Sequence, residues 1–196
     1  WASSIQAFPN QNYMSKLLLL PLVALTFACS LNAQETLVSR TSTTTFYSHA
    51  PLEDIEAVNN RTTAALNLEK GEIVVKMLIK HFEFENALMQ EHFNENYMES
   101  ETYPSALFKG TIVTENPIDI NVDGDYEVEV KGTLTIHGVE QAHTGVATIT
   151  VADRQVSGKT VFIARPKDFD IEIPTVVVRN IAEEIEVTTT LDFGSK

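Results

Sequence analysis

Cysteine is nearly missing from this chain: Cys29 is the only one in 196 residues, and it sits in an apolar stretch near the N-terminus. A product cut after that stretch has no disulfide, so burial alone must stabilise it. Long hydrophobic runs are missing too. The longest, Leu17–Ala28, is a dozen residues, against about 20 for a membrane-spanning helix, so no transmembrane segment is predicted. Positive charge is scarce, with 14 Lys and Arg against 27 Asp and Glu and a net charge of −13. Such a surface repels phosphate backbones and anionic head groups, which argues against nucleic acid and against electrostatic membrane docking.

The usual marks of catalysis are also lacking. There is no Gly-x-Ser-x-Gly elbow, Gly-rich phosphate loop or dinucleotide fingerprint, and no cysteine nucleophile beyond Cys29. His49, His81, His92, His137 and His143 are scattered, with no i, i+4 pair on a helix and no His-Glu-x-x-His, so no metal centre is expected. Asp119-x-Asn121-x-Asp123-Gly124 opens like a calcium loop, but Val130 stands where the bidentate glutamate is required. It reads as a turn.

What is present begins with a leader. Lys16 precedes Leu17–Ala28, and small or polar residues follow through Ala33, which are the three regions of a secretory signal peptide. Cleavage after Ala33 leaves Gln34–Lys196 as one domain with a sizeable core. Trp1–Tyr13 precedes Met14 and is left out of the fold reasoning. The expected location is periplasmic or secreted. Leu25-Thr26-Phe27-Ala28-Cys29 loosely resembles a bacterial lipobox, with Phe27 a poor fit, so lipid anchoring through Cys29 is the lesser alternative.

The rest of the chain is rich in β patterns. From Asp125 to Gly138, Tyr126, Val128, Val130, Leu134 and Ile136 share one parity while Glu127, Glu129, Lys131, Thr133 and Thr135 share the other. That run is about twice the usual strand length of 5–6 residues, as in a strongly coiled antiparallel sheet. Thr41–Tyr47, Thr62–Leu68, Glu72–Lys80, Ala106–Thr114, Gly145–Val151, Gln155–Ala164, Phe169–Ile173 and Ile185–Phe193 also read as strands. Glu69-Lys70-Gly71, Asp123-Gly124-Asp125 and Ser157-Gly158 read as turns, and Pro104, Pro166 and Pro174 mark strand ends. About eight or nine strands at this spacing predict an all-β fold, a closed or nearly closed antiparallel barrel. Two segments depart from it. Glu85–Met98 has a helical period, with Met89, Phe93 and Tyr97 expected to face inward across one barrel end, and Pro51–Asn59 reads as a short helical turn.

The inside of such a barrel is filled either by side chains or by a ligand. Strand parity places Phe46, Leu66, Met77, Phe108, Tyr126, Val128, Leu134, Phe162, Phe169, Val187 and Leu191 on the lining, and the helical segment adds Phe93. Ala106, Gly110, Gly132, Ala147, Gly158 and Ala164 share the inner faces and leave volume, and a barrel of about eight strands can just hold one slender ligand. Pattern alone leaves both fillings open.

Gly71–Ile112, followed by GTLTIHGV at Gly132–Val139 and ARPKDFDIEIP at Ala164–Pro174, resembles the YceI-like polyisoprenoid-binding family over most of Gln34–Lys196. The resemblance implies an extended, lipocalin-like antiparallel barrel of about eight strands with a short helical segment, exported to the periplasm. Its apolar tunnel would hold a polyisoprenoid lipid or an isoprenoid quinone tail, with no other cofactor and no catalytic residue. His92 looks like a histidine common in that family, preceded here by Gln90-Glu91 instead of an Arg-Asp pair, and Asp170 stands where a glycine is usual. Two other readings stay in play: a filled barrel acting as an envelope stress or interaction module, and a hydrolase or isomerase using His92 or His137 on a hydrophobic substrate. A homodimer is compatible with the sequence, which carries no signal for it.

Overall fold

The computed structural model describes residues 36–194. The expected leader, its expected cleavage point and Cys29 lie outside the described residues. Among the described residues, nine strands form one antiparallel sheet: β1 (Thr36–His49), β2 (Asp54–Asn67), β3 (Glu72–Leu78), β4 (Glu83–Phe84), β5 (Ser105–Val113), β6 (Gly124–Ile136), β7 (Val139–Ala152), β8 (Gln155–Ala164) and β9 (Ile185–Asp192). The sheet order is β1-β9-β8-β7-β6-β5-β3-β2, and β1 pairs β2 as well, so eight strands close into a barrel with no free edge; β4 adds two residues beside β2. Closure removes the unpaired backbone that an open sheet presents for aggregation.

β6 runs as the alternation predicts, with Val128, Val130 and Leu134 buried. Its gap at Gly132 is filled by the neighbouring strand. Gly132 pairs directly with Gly110 of β5, and a Cβ at Gly132 would lie 2.2 Å from the Lys109 carbonyl oxygen and 2.5 Å from the Gly110 Cα. A Cβ at Gly110 would meet the ring of Phe108 at 2.6 Å. These two glycines let β5 and β6 bend tightly against each other. They do not contribute open space.

Several expected elements differ. Pro51–Asn59 is not helical: β2 starts at Asp54 and pairs both β1 and β4. Its alternation is regular over Asp54–Asn59 but hidden in the sequence, because polar Asn59 is on the buried parity while apolar Val58 is on the other; a bulge follows, where the register shifts between Ser42–Thr62 and Thr44–Asn59 and the exposed Asn60 and Arg61 fall side by side. Asn59 holds it, accepting from Arg61 N at 2.9 Å and donating to Leu78 O at 3.0 Å. Phe169–Ile173 is no strand; Pro166–Phe169 is a 3₁₀ turn closed by Asp170 at φ 55°. Ser157-Gly158 lies within β8, and the hairpin turn before it is Asp153-Arg154, both left-handed at φ 50° and 63°. The turn between β6 and β7 is His137-Gly138, at φ 51° and 76°. Gly138 is required there twice over, because a Cβ would also sit 2.6 Å from the Tyr103 ring. Asp123 precedes β6 without forming a hairpin, and its carboxylate accepts from Asp153 N at 3.1 Å.

The helical segment is real but shorter and wider than expected. Helix α1 (Ala87–His92) is capped by Asn86, whose side chain accepts from Leu88 N at 2.9 Å, and a π-helical turn, Phe93–Tyr97, follows. No helix of the described residues is long and apolar enough to cross a membrane.

The core divides by barrel end. One end is packed with Leu66, Ile73, Val75, Val128, Ile149, Val151, Val156, Leu191 and Phe193. The other gathers Ala57, Met77, Ile79, Phe82, Met98 and Ala106, with Phe46, Phe84, Phe93, Ile136 and Ile171 against them. The first end is closely packed around a small void; the second surrounds a larger one.

Candidate functional site

A cavity of about 380 Å³ occupies the second end, within the size range of small-molecule sites. Its walls come from the last residues of β1, β3, β6 and β8 and the first of β2, β5 and β9, which antiparallel pairing gathers at one rim. Four phenylalanines form its most aromatic wall. Phe46 stacks on Phe93 at 5.4 Å between ring centroids and meets Phe82 and Phe84 at 5.5 and 5.6 Å, and Phe93 lies 5.0 Å from Phe84. Such offset and edge contacts suit an apolar ligand and add to what burial alone contributes.

α1 and the turn after it cover one side. Met89, Phe93 and Tyr97 are half-buried and line the cavity, while Asn86, Leu88 and His92 on the same wall are exposed, so the cavity meets solvent there. The wide turn closes with Met98 N donating to Phe93 O at 2.9 Å, and its extra residue per turn lets Tyr97 and Met98 both reach the cavity. Burial pushes the Tyr97 phenol up from its ordinary pKa.

The opposite side is a strap, residues 165–184, between β8 and β9. Phe169, Ile171, Ile173, Val177 and Ile181 turn inward from it. Arg165 donates to the Glu184 carboxylate from Nε at 3.0 Å and Nη2 at 2.6 Å, joining the two ends of the strap. Asn180 donates to Glu53 at 3.1 Å and Ala182 N to Ser48 Oγ at 2.9 Å, which tie its middle to the turn between β1 and β2. His137 then bridges strap and helix. Its Nδ1 is 3.2 Å from Phe169 O, its Nε2 is 3.0 Å from Glu99 Oε2, and the Tyr103 ring covers it at 4.4 Å.

A smaller cavity of about 70 Å³ lies deeper, toward the filled end. Met77, Leu134 and Phe162 line both cavities and so form the partition between them. Beside the partition runs a line of buried hydroxyls. Thr62 Oγ1 donates to Thr44 Oγ1 at 3.0 Å, and Thr44 Oγ1 lies 3.1 Å from Thr189 Oγ1.

Of the residues expected on the lining, Phe46, Phe93, Phe169 and Val187 face the larger cavity, Leu66, Phe108, Val128 and Leu191 the smaller, and Met77, Leu134 and Phe162 both. Tyr126 lines neither: it packs against the filled core and its hydroxyl donates to Val122 O at 2.9 Å. Parity put it inside, but its position at the strand start puts it beyond the cavity. Phe82 and Phe84 were missed. Their signal was only a two-residue alternation in His81-Phe82-Glu83-Phe84, too short to mark a strand.

Among the described residues, no catalytic pair is assembled at the cavity. His92 borders it, exposed and without a hydrogen-bonded carboxylate among the described residues, and His137 lies outside its walls. The described residues contain no group of three or more His, Cys, Asp or Glu placed to hold a metal ion. Asp119 instead accepts from the backbone and side-chain nitrogens of Asn121, each at 2.9 Å, which holds its carboxyl below the usual range.

The model of the YceI-like domain matches residues 36–193. Among solved structures, a polyisoprenoid-binding domain from Saccharophagus degradans, implicated in plant cell wall breakdown, superposes with a TM-score of 0.67 at 15% identity, over 81% of this chain and 98% of that one. BcnA of Burkholderia cenocepacia gives 0.65 at 17% identity over 77% and 95% of the two chains. The YceI protein of Campylobacter jejuni gives 0.59 at 15% identity over 76% and 89%. At these identities the likeness is one of fold. No curated protein matches the sequence.

Proposed function

The chain belongs to the YceI-like family, and from that premise we propose that it is an exported, non-enzymatic lipid-binding protein that stores, shields or ferries a polyisoprenoid or isoprenoid-quinone chain. The observation that carries this reading is the larger cavity, an almost wholly apolar chamber of about 380 Å³ inside a closed barrel. Burial is additive. Each CH₂ removed from water contributes about 0.8 kcal/mol, so an isoprene unit of five carbons contributes about 3–4 kcal/mol before ordering costs. A few units bind tightly with no charged contact, and the acidic exterior keeps the loaded carrier off anionic membranes. That the Saccharophagus domain is described as polyisoprenoid-binding supports the ligand class.

The decisive measurement is mass spectrometry of organic extracts from protein purified without detergent. An isoprenoid chain in near-stoichiometric amount is the expected result. A protein that is reproducibly empty and takes up neither added polyprenyl lipid nor quinone would sink the proposal, and would leave the envelope interaction module as the better account of the barrel.

A further inference from the structure

His143 is the one side chain of the inner chamber whose chemistry the apolar reading leaves unused. It points inward from β7, half-buried, with its ring edge-on to Phe108 at 5.9 Å and to Phe162 at 4.9 Å. Gly132 lies opposite it in register on β6. Gly145, two residues on, leaves Nε2 clear; a Cβ there would lie 3.2 Å from it. His143 lines the smaller cavity and makes no hydrogen bond to protein among the described residues. Its ring nitrogens keep accessible surface and have no protein partner among the described residues, so the imidazole is free to meet a ligand atom in an otherwise apolar chamber.

The other polar groups of that chamber define what it receives. Thr160 Oγ1 is engaged with Val146 O at 2.9 Å. Thr189 is the end of the hydroxyl line: three hydroxyls share two hydrogen bonds, so one proton is left over at Thr44 or Thr189. Lys159, the one charged residue on the chamber's lining, is solvent-exposed. No cation therefore waits inside for a phosphate. With about 70 Å³ the chamber is also smaller than a ring needs, since an engineered cavity that takes up benzene measures about 150 Å³.

We infer that His143 is a specificity-determining residue which hydrogen-bonds a slender, uncharged oxygen-bearing end of the bound chain, a hydroxyl or a carbonyl, in the inner chamber. The chain enters polar end first past Met77, Leu134 and Phe162, and its apolar remainder lies in the larger cavity among the four phenylalanines. Burial lowers the affinity of His143 for a second proton, and the neutral ring can donate to a carbonyl or accept from an alcohol. This rests on the proposed lipid-binding function and adds the direction and end-group chemistry of the ligand. A chain that ends in a quinone ring or a phosphate keeps that end at the mouth and makes no use of His143.

The test compares farnesol, farnesal, farnesyl phosphate and the hydrocarbon farnesene by fluorescence displacement on the full-length barrel. One neutral hydrogen bond contributes about 0.5–1.5 kcal/mol, so farnesol and farnesal should bind roughly two- to tenfold more tightly than farnesene, with farnesyl phosphate showing no gain over farnesene. His143→Leu should collapse the ratio of alcohol to hydrocarbon toward one, and His143→Gln should restore most of it. In the wild type, the ¹⁵N resonances of the His143 ring should shift on adding farnesol and stay in place with farnesene, a readout that needs no variant. Equal binding of all four, or a ratio unchanged in His143→Leu, overturns this inference while lipid binding stands. Failure of every chain to bind overturns the lipid-binding reading, and this inference with it.

Discussion

The two ends of the barrel use the same eight strands and differ in how their inward side chains are sized and closed. At the filled end, aliphatic residues from β2, β3, β6, β7, β8 and β9 interdigitate, and Leu66 and Val151 are each 1% exposed. At the other end the strands carry phenylalanines that meet around a space, closed by a short helix on one side and a strap on the other. Branched aliphatics on paired strands fill a barrel to crystal-like density. Rings pinned at their edges by non-strand segments hold a volume open. The tightest packing thereby lies at one end of the axis and the larger cavity at the other.

The largest expected effect lies at the filled end. Leu66→Ala should cost about 3–4 kcal/mol of folding stability in urea unfolding, because its neighbours sit on paired strands and cannot collapse into the gap. Leu66 lines only the smaller cavity, so occupancy of the larger cavity by the apolar part of the chain should be unchanged in whatever fraction stays folded. Leu134→Ala, at the partition, should cost less, about 2–3 kcal/mol, because part of the lost volume adjoins existing cavities. It should also merge the two chambers, and mass spectrometry of the extracts should show longer or bulkier chains retained. If both variants lose equal stability and bind the same chains, the division into two ends is wrong.

Phe93→Ala tests the cover. A fully buried phenylalanine loses about 3–5 kcal/mol on truncation. Phe93 is only half-buried, and α1 buries none of its residues, so a loss of about 1–2 kcal/mol is expected, together with faster lipid release in stopped-flow transfer to vesicles. A gate can open without global unfolding. A strongly destabilised Phe93→Ala with unchanged release would show instead that the segment is a plug.

A smaller effect concerns pH. Burial holds the His143 ring neutral in the folded state more firmly than in the unfolded chain, where a histidine titrates near 6.5. The unfolded state then binds more protons below that pH, so the stability conferred by the neutral ring is fully present above about pH 6.5 and is lost as the pH falls. Thermal unfolding from pH 7 to pH 5 should show a steeper decline for the wild type than for His143→Phe. That window lies above the range in which Asp54 and Asp119 protonate, since both carboxyls are held below their ordinary values, Asp54 by its bonds to His49 and Tyr47 and Asp119 by Asn121. Parallel profiles would show that the cavity does not disfavour the charged form of His143.

The sequence made the strands of the filled end legible because their alternation is unbroken: Val128 and Val130 on β6, Ile149 and Val151 on β7. It failed where parity breaks. At the start of β2, polar Asn59 on the buried parity and apolar Val58 on the other gave a strand the look of a helical turn, and the left-handed pairs His137-Gly138 and Asp153-Arg154 carried the hairpins in place of Ser157-Gly158. The candidate site was half legible for the same reason. Residues on strands, such as Phe46, Phe162 and Val187, fell where parity puts them, whereas Phe82, Phe84, Ile171 and Ile181 come from short or irregular segments that have no period to read. The apparent gap at Gly110 and Gly132 misled in the other direction. Small residues can mean close backbone approach as well as open volume, and only the geometry separates the two.

Asp170 gives the smallest effect and the finest test of the strap. It ends the Pro166–Phe169 turn at φ 55°, ψ 30°, the left-handed conformation in which a side chain crowds its own backbone. The resemblance to the family has glycine at this position, the residue that adopts that geometry without steric cost. An aspartate tolerates it better than most, so Asp170→Gly should stabilise the barrel by about 0.5–1 kcal/mol, offset in part by the greater freedom glycine adds to the unfolded chain. The turn also seats Phe169, which is buried beneath His137 through its carbonyl and lines the larger cavity. Relaxing it should leave the filled end untouched and slow lipid release slightly, because the strap closes the cavity on the side opposite α1. If Asp170→Gly instead destabilises the protein, the strained turn is held by contacts of the aspartate itself, and the strap is a rigid wall with no part in release.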